Sequence, residues 1–401
     1  MRRNLLPLLM FMVLLSPLAI DIYLPSMPAM ALEYGVSNSE VQSTLVLFLF
    51  AMGVGQILIG PLADRFGRKP VALFGIVLYG ISSLLGAYAV EFEWLQIARV
   101  FQGLAACSTS IVVFSAVRDC YSRKESVSMY SYLNGAICVV PALAPTFGGL
   151  LALQFGWRST FIFMALYAIF VLFLVGFRFP ETRPLNTDST GPLYRWSRYK
   201  PVIGDPHFMF YASCCMIAMA SILCYVSYSP VWLIGHLGIS ELTFSGLFGL
   251  NAAVNIAACF AAPVLVKRIG NRPGVVVALS LMLLAAVIEA AMYFAGPQEG
   301  LAAAIAFMAP MMILCVGFAV LLGPATSMAL SAFGERAGTA TAMLGCIQMS
   351  GASILTALIQ LTDIPAPYAI ALVMGGFSSV LLIIMAMNRL SHLHQEQLQH
   401  D

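Results

Sequence analysis

Charged residues are scarce in this sequence. Only 9% of its 401 residues are Asp, Glu, Lys or Arg, whereas 60% are hydrophobic. A soluble domain usually carries about 25% charged residues, so this scarcity excludes a chain that covers its core with a polar surface. We expect most of its surface to contact lipid. The net charge of +2 is small and gives no indication of a nucleic-acid partner.

Several kinds of chemical site are also missing. The sequence contains no C-x-x-C pair, no glycine-rich phosphate loop and no cluster of metal ligands at a recognisable spacing. The nine cysteines fall inside apolar stretches, or at the end of one in the case of Cys120, where we expect small packing residues rather than disulfides. These absences argue against a membrane enzyme, a metal site or an ATP-driven pump, and we expect no cofactor.

Long apolar stretches are abundant. A helix that crosses a membrane needs about 20 mostly apolar residues, and twelve stretches meet this requirement. They are residues 5–31, 41–63, 71–90, 94–117, 127–152, 159–179, 207–233, 242–266, 274–296, 300–331, 336–361 and 366–388. The first is not read as a secretory signal, because it contains Asp21 and no small-residue cleavage site. We predict an all-α polytopic membrane protein with twelve transmembrane helices.

Basic residues are distributed unevenly between the two sides of this arrangement. All 20 Lys and Arg residues except Arg99 and Arg158 fall at the termini or in connections that follow even-numbered spans. Cytoplasmic loops of membrane proteins carry an excess of Lys and Arg. The pattern therefore predicts that both termini are cytoplasmic.

The chain also divides into two similar parts. We predict an N-terminal six-helix half over residues 1–180, a proline-rich cytoplasmic linker over 181–206, a C-terminal half over 207–389 and a cytoplasmic tail over 390–401. Residues 60–70 read GPLADRFGRKP, and residues 263–273 read PVLVKRIGNRP, with basic, Gly and Pro positions aligned. Two parallel halves related by an axis along the membrane normal are a transporter architecture, with the binding site between them.

Five segments carry a resemblance to a known family. Residues 60–70 match the 2–3 loop signature of the major facilitator superfamily, and residues 95–103, LQIARVFQG, resemble the signature of its proton-coupled members. Residues 141–149, PALAPTFGG, resemble the antiporter signature of its drug exporters, although Ala144 and Val140 replace its usual glycines. Residues 21–28, DIYLPSMP, and 179–184, FPETRP, resemble the bacterial bicyclomycin and chloramphenicol exporters. The resemblance implies the major facilitator fold in a bacterial inner membrane.

Asp21 and Arg99 are the predicted proton-coupling residues. Asp21 lies some 16 residues into the first span, about 24 Å along a helix, and an acid at such depth is a functional candidate that can alternate between neutral and charged forms. Its alternative role is a carboxylate bonded to backbone near a proline-broken helix. Arg99 lies within the fourth span, and the resemblance implies that it assists proton release or uptake. Its alternative is a side chain that reaches to the outer interface.

Two motifs are predicted to serve the conformational change. In the 2–3 loop, Gly60, Asp64, Arg65, Gly67 and Arg68 are interpreted as a latch whose charges and helix dipoles hold one access state. The alternative is that these basic residues only fix the cytoplasmic side of the helix, as the positive-inside rule describes. In the fifth span, Pro141, Pro145, Gly148 and Gly149 predict a bend with a close-packing surface that seals against a neighbour. An ordinary kinked helix would have the same pattern.

The substrate site is predicted from polar and aromatic residues at helical spacing. Its candidate residues are Tyr23, Asn134, Tyr225, Ser229, Asn251, Asn255 and Gln348. Aromatic rings and a few amides suit apolar or amphipathic ligands, but the same residues can instead form hydrogen bonds between helices. Glu289, in the ninth span, is a further acid for which we expect a peripheral position.

Two functions remain open at this point. The antiporter-like fifth span and the segment around Asp21 favour a proton-coupled antiporter that exports lipophilic or amphipathic drugs by alternating access. The alternative is a proton-coupled or facilitated transporter of a small metabolite. In either case the expected partners are a small-molecule substrate, protons and membrane lipid, without nucleic acid, and we expect a monomer.

Overall fold

The computed structural model describes residues 5–184, 193–194, 196–333, 337–362 and 364–387. Within them, twelve helices are long and apolar enough to cross a membrane. They are α1 (Leu5–Tyr34), α2 (Asn38–Phe66), α3 (Arg68–Ala87), α4 (Phe92–Cys120), α5 (Ser128–Phe155), α6 (Arg158–Arg178), α7 (Pro206–His236), α8 (Glu241–Ile269), α9 (Asn271–Ala295), α10 (Gly300–Leu330), α11 (Gly338–Gln360) and α12 (Ala366–Met387). The predicted all-α fold with twelve spanning helices is confirmed. The predicted tail 390–401, part of the linker, and Arg2, Arg3, Arg195, Arg336 and Arg389 lie outside the described residues.

Several helices, such as α2, α3 and α9, begin three residues before the apolar stretches that predicted them. Before α2, the Ser37 hydroxyl accepts from the backbone N–H of Glu40, and the Glu40 carboxylate accepts from the backbone N–H of Ser37. The pair Ser122 and Glu125 begins the helix that contains α5 in the same way. Such reciprocal caps satisfy free N–H groups at a helix start, so the helix begins in polar sequence.

Each half repeats one packing pattern. In the first half, α3 packs against α4 and α6, and α2 packs against α4. In the second, α9 packs against α10 and α12, and α8 packs against α10. The neighbours therefore recur at an offset of six helices, as two pseudo-symmetric halves require. The halves meet where α2 packs against α11 and where α5 packs against α8.

The irregular helices include α1 and α11, where the two halves meet. The α-helical part of α1 is interrupted after Asp21, and a short 3₁₀ turn, Leu24–Ser26, precedes its last segment, Met27–Tyr34. In α11, the residues Ile347–Gly351 form a π-helical turn. Such turns are frequent at functional sites. Both irregularities occur in helices that face the other half.

Candidate transport site

We call the end of the bundle that holds the α2–α3 and α4–α5 connections the basic end, and the other end the far end. A cavity of about 1100 Å³ lies between the halves and extends to the basic end. Its walls include Ser16 of α1, Gln56 of α2, Asn134 of α5 and Gln348 of α11. The linker contributes Tyr199, from its short helix Trp196–Ile203.

Toward the far end, the two halves are in close contact. The Ser350 hydroxyl donates to the Phe50 carbonyl at 3.0 Å, and the Ser39 hydroxyl donates to the Gln360 carbonyl at 2.8 Å. A Cβ at Gly53 would overlap with Ser350, so α2 and α11 approach more closely than larger residues allow. The halves are thus apart at the basic end and joined at the far end, which is one of the two geometries that alternating access requires.

The cavity has a charged mouth and a neutral interior. Its charged lining residues, among those that the structure describes, are Asp64, Arg65, Arg68, Arg118 and Arg198. All of them belong to the basic end. The deeper walls present hydroxyl, amide and thioether groups, including those of Ser110, Thr341 and Met52. Such a surface can bind an uncharged ligand through hydrogen bonds and adaptable apolar contacts.

Two of the predicted substrate residues line this cavity, namely Asn134 and Gln348. Several lining residues were missed by the sequence reasoning. Among them, Met52 and Gln56 precede the predicted latch residue Gly60, which also lines the cavity, at i, i+4 and i+8 on α2. A stripe of this kind on a helix between the halves is a signal that the sequence does carry.

The other predicted substrate residues lie outside this cavity's lining in the present conformation. The Asn251 amide donates to the Tyr225 hydroxyl at 3.1 Å and to the Met308 carbonyl at 3.2 Å, and the Ser229 hydroxyl contacts its own helix at the Val226 carbonyl. The Asn255 amide oxygen accepts from the thiol of Cys259 at 4.0 Å. Tyr23 is fully buried and contacts α2 and α4. A role of any of these residues in substrate binding stays a prediction.

Asp21 occupies the last position of a helical segment of α1 and is only 3% exposed. Ile20 and Pro17 of the same segment line the cavity, so the carboxyl group lies just behind its wall. No ion pair of Asp21 occurs among the described residues. An isolated acid at this depth is costly when ionised, which makes its charge sensitive to changes in the cavity.

Arg99 is completely buried in the first half. Its guanidinium group lies between the rings of Tyr23 and Phe48, at 4.7 and 4.6 Å from their centroids. Nε donates to the Thr44 carbonyl at 3.3 Å, and Nη1 donates to the amide oxygen of Gln102. Arg99 forms no ion pair with a carboxylate among the described residues. Its charge is stabilised instead by cation–π contacts, which are strongest when they are desolvated.

The sequence around Arg99 explains how it reaches these partners. Gly103 lies one turn further along α4, and a Cβ there would overlap with the Phe48 carbonyl oxygen of α2. The glycine therefore allows α4 and α2 to approach closely. Gln102 continues the polar chain, since its amide nitrogen donates to the Ser83 hydroxyl of α3 at 2.8 Å. The predicted proton-coupling pair is thus linked indirectly, because Arg99 contacts Tyr23, two residues beyond Asp21.

Replacement of Arg99 by lysine is expected to reduce transport at least about tenfold at equal protein levels, equivalent to about 1.4 kcal/mol. A compact ammonium group cannot contact two rings and several acceptors at once. The measurement is the initial transport rate in vesicles. Arg158→Lys is the matched control, because Arg158 also lies over an aromatic ring, that of Trp157, but is 36% exposed at the far end. Equal transport by Arg99→Lys and the parent would show that the guanidinium geometry is not required.

The 2–3 loop is joined to its own half of the molecule. Arg68 forms ion pairs with Asp64 at 2.8 Å and with Asp119, at the end of α4, at 3.1 Å. A further arginine, Arg183, donates to the backbone carbonyl oxygens of Asp64 and Arg65. All ion pairs among the described residues lie within the first half. In the present conformation these latch residues therefore border the cavity mouth and form no ion pair with the other half in the part of the chain that is described.

Glu181, which the latch hypothesis did not include, organises this loop. Its carboxylate accepts from the backbone N–H groups of Arg68 at 2.9 Å and Lys69 at 3.2 Å, at the start of α3, and also from those of Thr182 and Arg183. Gly67 has a φ of +104°, and a Cβ there would contact the same carboxylate. The FPETRP segment carried part of the family resemblance. It therefore connects the end of the first half to the 2–3 loop through hydrogen bonds.

The stability of the protein is expected to fall in acid through Glu181. Burial raises the pKa of this carboxyl, but hydrogen bonds from Arg183, Arg68, Lys69 and Thr182 outweigh it and hold the pKa below its ordinary value. A lowered pKa stabilises the fold above the unfolded value of about 4.3, and the contribution is lost as the pH falls through the folded value. Thermal unfolding of Glu181→Gln in detergent should therefore depend less on pH in this acid range than unfolding of the parent. Glu93→Gln, at an exposed acid of α4, is the control, and an unchanged pH dependence in Glu181→Gln would contradict the assignment.

The glycine pair of α5 lies between the halves. A Cβ at Gly148 would overlap with the carbonyl oxygen of Ile22, the residue that follows Asp21 in α1. A Cβ at Gly149 would lie 3.6 Å from the Ser245 hydroxyl of α8, which is an ordinary contact. Pro141 and Pro145 precede the glycine pair within the same continuous helix, Arg123–Phe155. The predicted close-packing surface thus contacts the interrupted part of α1 on one side and α8 on the other.

Comparisons with known proteins agree with this architecture. The model of the Major Facilitator Superfamily matches residues 9–356. Similar proteins include the multidrug resistance protein MdtL of Klebsiella pneumoniae strain 342, 31% identical with 96% of each chain covered. MdtL of Vibrio parahaemolyticus is 28% identical, also with 96% of each chain covered.

Solved structures show the same fold at low sequence identity. A D-xylose–proton symporter has a TM-score of 0.76 at 16% identity, over 94% of this chain and 96% of the symporter. The xylose transporter XylE from E. coli, in a partially occluded inward-open conformation, has a TM-score of 0.73 at 14% identity, over 95% and 98% of the two chains. The fold, the two similar halves and the match over most of the sequence lead to one conclusion: this multi-pass membrane protein belongs to the major facilitator superfamily.

Proposed function

We propose that this chain is a proton-coupled antiporter, not an enzyme, that exports uncharged lipophilic or amphipathic drugs across a bacterial inner membrane by alternating access. The observation that carries the proposal is a buried acid, Asp21, which has no ion-pair partner among the described residues and lies directly behind the wall of a central cavity with a neutral interior. The relatives named multidrug resistance proteins support drugs as the substrate class. We propose a monomer whose halves, residues 1–180 and 207–389, move about the linker 181–206.

The basic end faces the cytoplasm in this proposal, because Lys and Arg accumulate on that side. The present conformation is then open to the inside, and drug enters past the arginines of the mouth. Drug binding in the cavity changes the surroundings of Asp21 and releases its proton toward the inside. Protonation of Asp21 from the outside, in the other conformation, displaces the drug, so the inward proton gradient drives export.

The latch and the glycine pair serve the conformational change in this scheme. The 2–3 loop, with Gly60, Asp64, Arg65, Gly67 and Arg68, closes the mouth against the second half when the cavity opens outward. Gly148 of α5 keeps the break of α1 sealed against a proton leak, and Gly149 lies beside α8, where the two halves meet. Asn134 and Gln348 are the proposed substrate contacts in the present conformation.

The test uses inside-out membrane vesicles that contain the protein, energised by respiration and loaded with a pH-sensitive dye. Chloramphenicol, which is uncharged, should partly dissipate the proton gradient, and ethidium should do so less because the mouth carries four arginines and one aspartate in its lining. Vesicles without the protein are the control. If neither compound changes the gradient, drug–proton antiport is wrong and transport of a small metabolite becomes the better hypothesis.

A further inference from the structure

A second buried acid lies in the C-terminal half, far from the central cavity. Glu289 of α9 is 1% exposed, and its Oε2 atom has no hydrogen-bond partner in the part of the chain that is described. The surrounding sequence of α9, from Gly274 to Ala295, contains no other charged residue. Buried polar groups are normally satisfied, so an unpartnered carboxylate oxygen in a membrane helix requires an explanation.

Glu289 lines a small cavity at the far end. The cavity has a volume of about 20 Å³ and is bounded by side chains of α7, α9, α10, α12 and the α9–α10 connection. Trp232, Tyr293, Gln298, Phe307 and Pro367 are among its walls. This volume is sufficient for a single water molecule, which needs at least about 10–15 Å³. It excludes a drug-sized ligand.

The polar groups around this cavity include acceptors, on Glu289 and Gln298, and donors, the indole N–H of Trp232 and the hydroxyl of Tyr293. The amide nitrogen of Gln298 donates to the carbonyl oxygens of Tyr293 at 2.9 Å and Gly296 at 3.1 Å. Its side chain therefore has only an acceptor oxygen left for the cavity, which it shares with the acceptor oxygens of Glu289. Among the described residues, no donor of the lining bonds to Oε2 of Glu289. A proton on the carboxyl group, with a bridging water in the cavity, satisfies this oxygen. Since Gln298 is exposed, the cavity adjoins the solution at the far end.

The other ionisable groups near this site are few. His236 of α7 stacks on Trp232, with ring centroids 4.3 Å apart, and Tyr293 belongs to α9 itself. From α12, Tyr368 contacts Phe294. The connection carries Glu299, which is exposed, and α10 contributes Ala303, Ala306 and Phe307 to the walls. No basic side chain among the described residues forms an ion pair with Glu289, so its charge is not compensated when the proton leaves.

We propose that Glu289 is a second proton-binding site, which exchanges its proton with the solution at the far end through this water-sized cavity. An intramembrane acid is by default a functional site, and the ligand that its surroundings accept is a proton carried by water. Loss of the proton leaves a buried charge between α7, α9, α10 and α12 and weakens their packing at this corner. The site is separate from Asp21 and does not rest on which substrate the protein transports.

The test is infrared difference spectroscopy of the purified protein in lipid nanodiscs, recorded as the pH is raised. Protein labelled with ¹³C-glutamate should show a pH-dependent carboxylic-acid C=O band that shifts with the label, because it arises from Glu and not from Asp. Glu289→Gln should lose this band, and Glu289→Asp should move it back to the unlabelled position. Glu299→Gln, the exposed neighbour, should keep it.

Three results would overturn the proposal: no label-sensitive acid band, a band that Glu289→Gln retains, or a band that does not respond to pH. A band that does not respond to pH would mean that Glu289 stays protonated and has only a packing role. If Glu289→Gln does not fold, the isotope-labelled parent and Glu289→Asp still decide the matter. Asp21→Asn should leave this band unchanged, so a failure of the antiport proposal in vesicles is distinguished from a failure here.

Discussion

Vesicles that contain the Asp21→Asn variant are expected to keep their proton gradient when chloramphenicol is added, like vesicles without the protein. Asparagine has the same shape as aspartic acid but cannot bind or release a proton at physiological pH. Because Asp21 is buried, without an ion-pair partner in the described structure and adjacent to the cavity wall, the substitution removes the coupling group without removing a structural ion pair. The measurement is the dye response per unit of protein.

The matched control is Glu93→Gln, which neutralises an exposed acid at the start of α4 in the same half. It should respond to chloramphenicol like the parent. If Asp21→Asn dissipates the gradient as well as the parent does, Asp21 has a structural role and proton coupling resides elsewhere. Drug binding by the purified variant separates a loss of coupling from a loss of the cavity, and binding should persist.

Alanine at Gly148 is expected to cause the largest structural effect of any single methyl group in α5. The added carbon would overlap with the Ile22 carbonyl oxygen, and a backbone atom of a packed helix cannot move aside as a flexible side chain can. Overpacking of this kind costs about 1–3 kcal/mol. The break of α1 would shift together with Asp21, so transport should fall at least about tenfold, or 1.4 kcal/mol.

The neighbouring glycine provides a close control. Gly149→Ala adds the same methyl group to the same helix, but its nearest contact is the Ser245 hydroxyl at 3.6 Å. This variant should transport and unfold much like the parent. Transport rates and thermal unfolding of both variants decide the point, and equal behaviour of the two would show that the α1–α5 contact is not critical.

The fold was predictable because lipid imposes a simple rule on the sequence. Each spanning helix must be apolar over about 20 residues, and the twelve stretches that satisfy this requirement match the twelve spanning helices among the described residues. Their ends were less predictable, since capping by Ser37 and Glu40 extends α2 into polar sequence. The family was also accessible from the 2–3 loop, because turns between spans carry distinctive glycine, proline and basic residues.

The partners of buried polar residues were not predictable. Asn251 and Tyr225 were placed in a substrate site by their helical spacing, yet in this conformation they bond to each other. Arg99 lies between a ring of α1 and a ring of α2, and this position is possible because Gly103 allows α4 and α2 to approach closely. The approach of Gly103 to Phe48 depends on the register of the two helices. Helical periodicity indicates which face of a helix is polar, but it does not show which neighbour that face meets.

The contact between the halves has a further consequence. Where α2 meets α11 and α5 meets α8, the described structure shows glycine-lined packing and serine hydroxyl bonds to backbone carbonyls, and no ion pair. Packing contacts of this kind are individually weak and can be exchanged without uncovering a charge. The rate at which the halves separate at the far end should therefore respond to the lateral pressure and thickness of the bilayer more than to ionic strength. The surrounding lipid then acts as a part of the transport machinery that the amino-acid sequence does not encode.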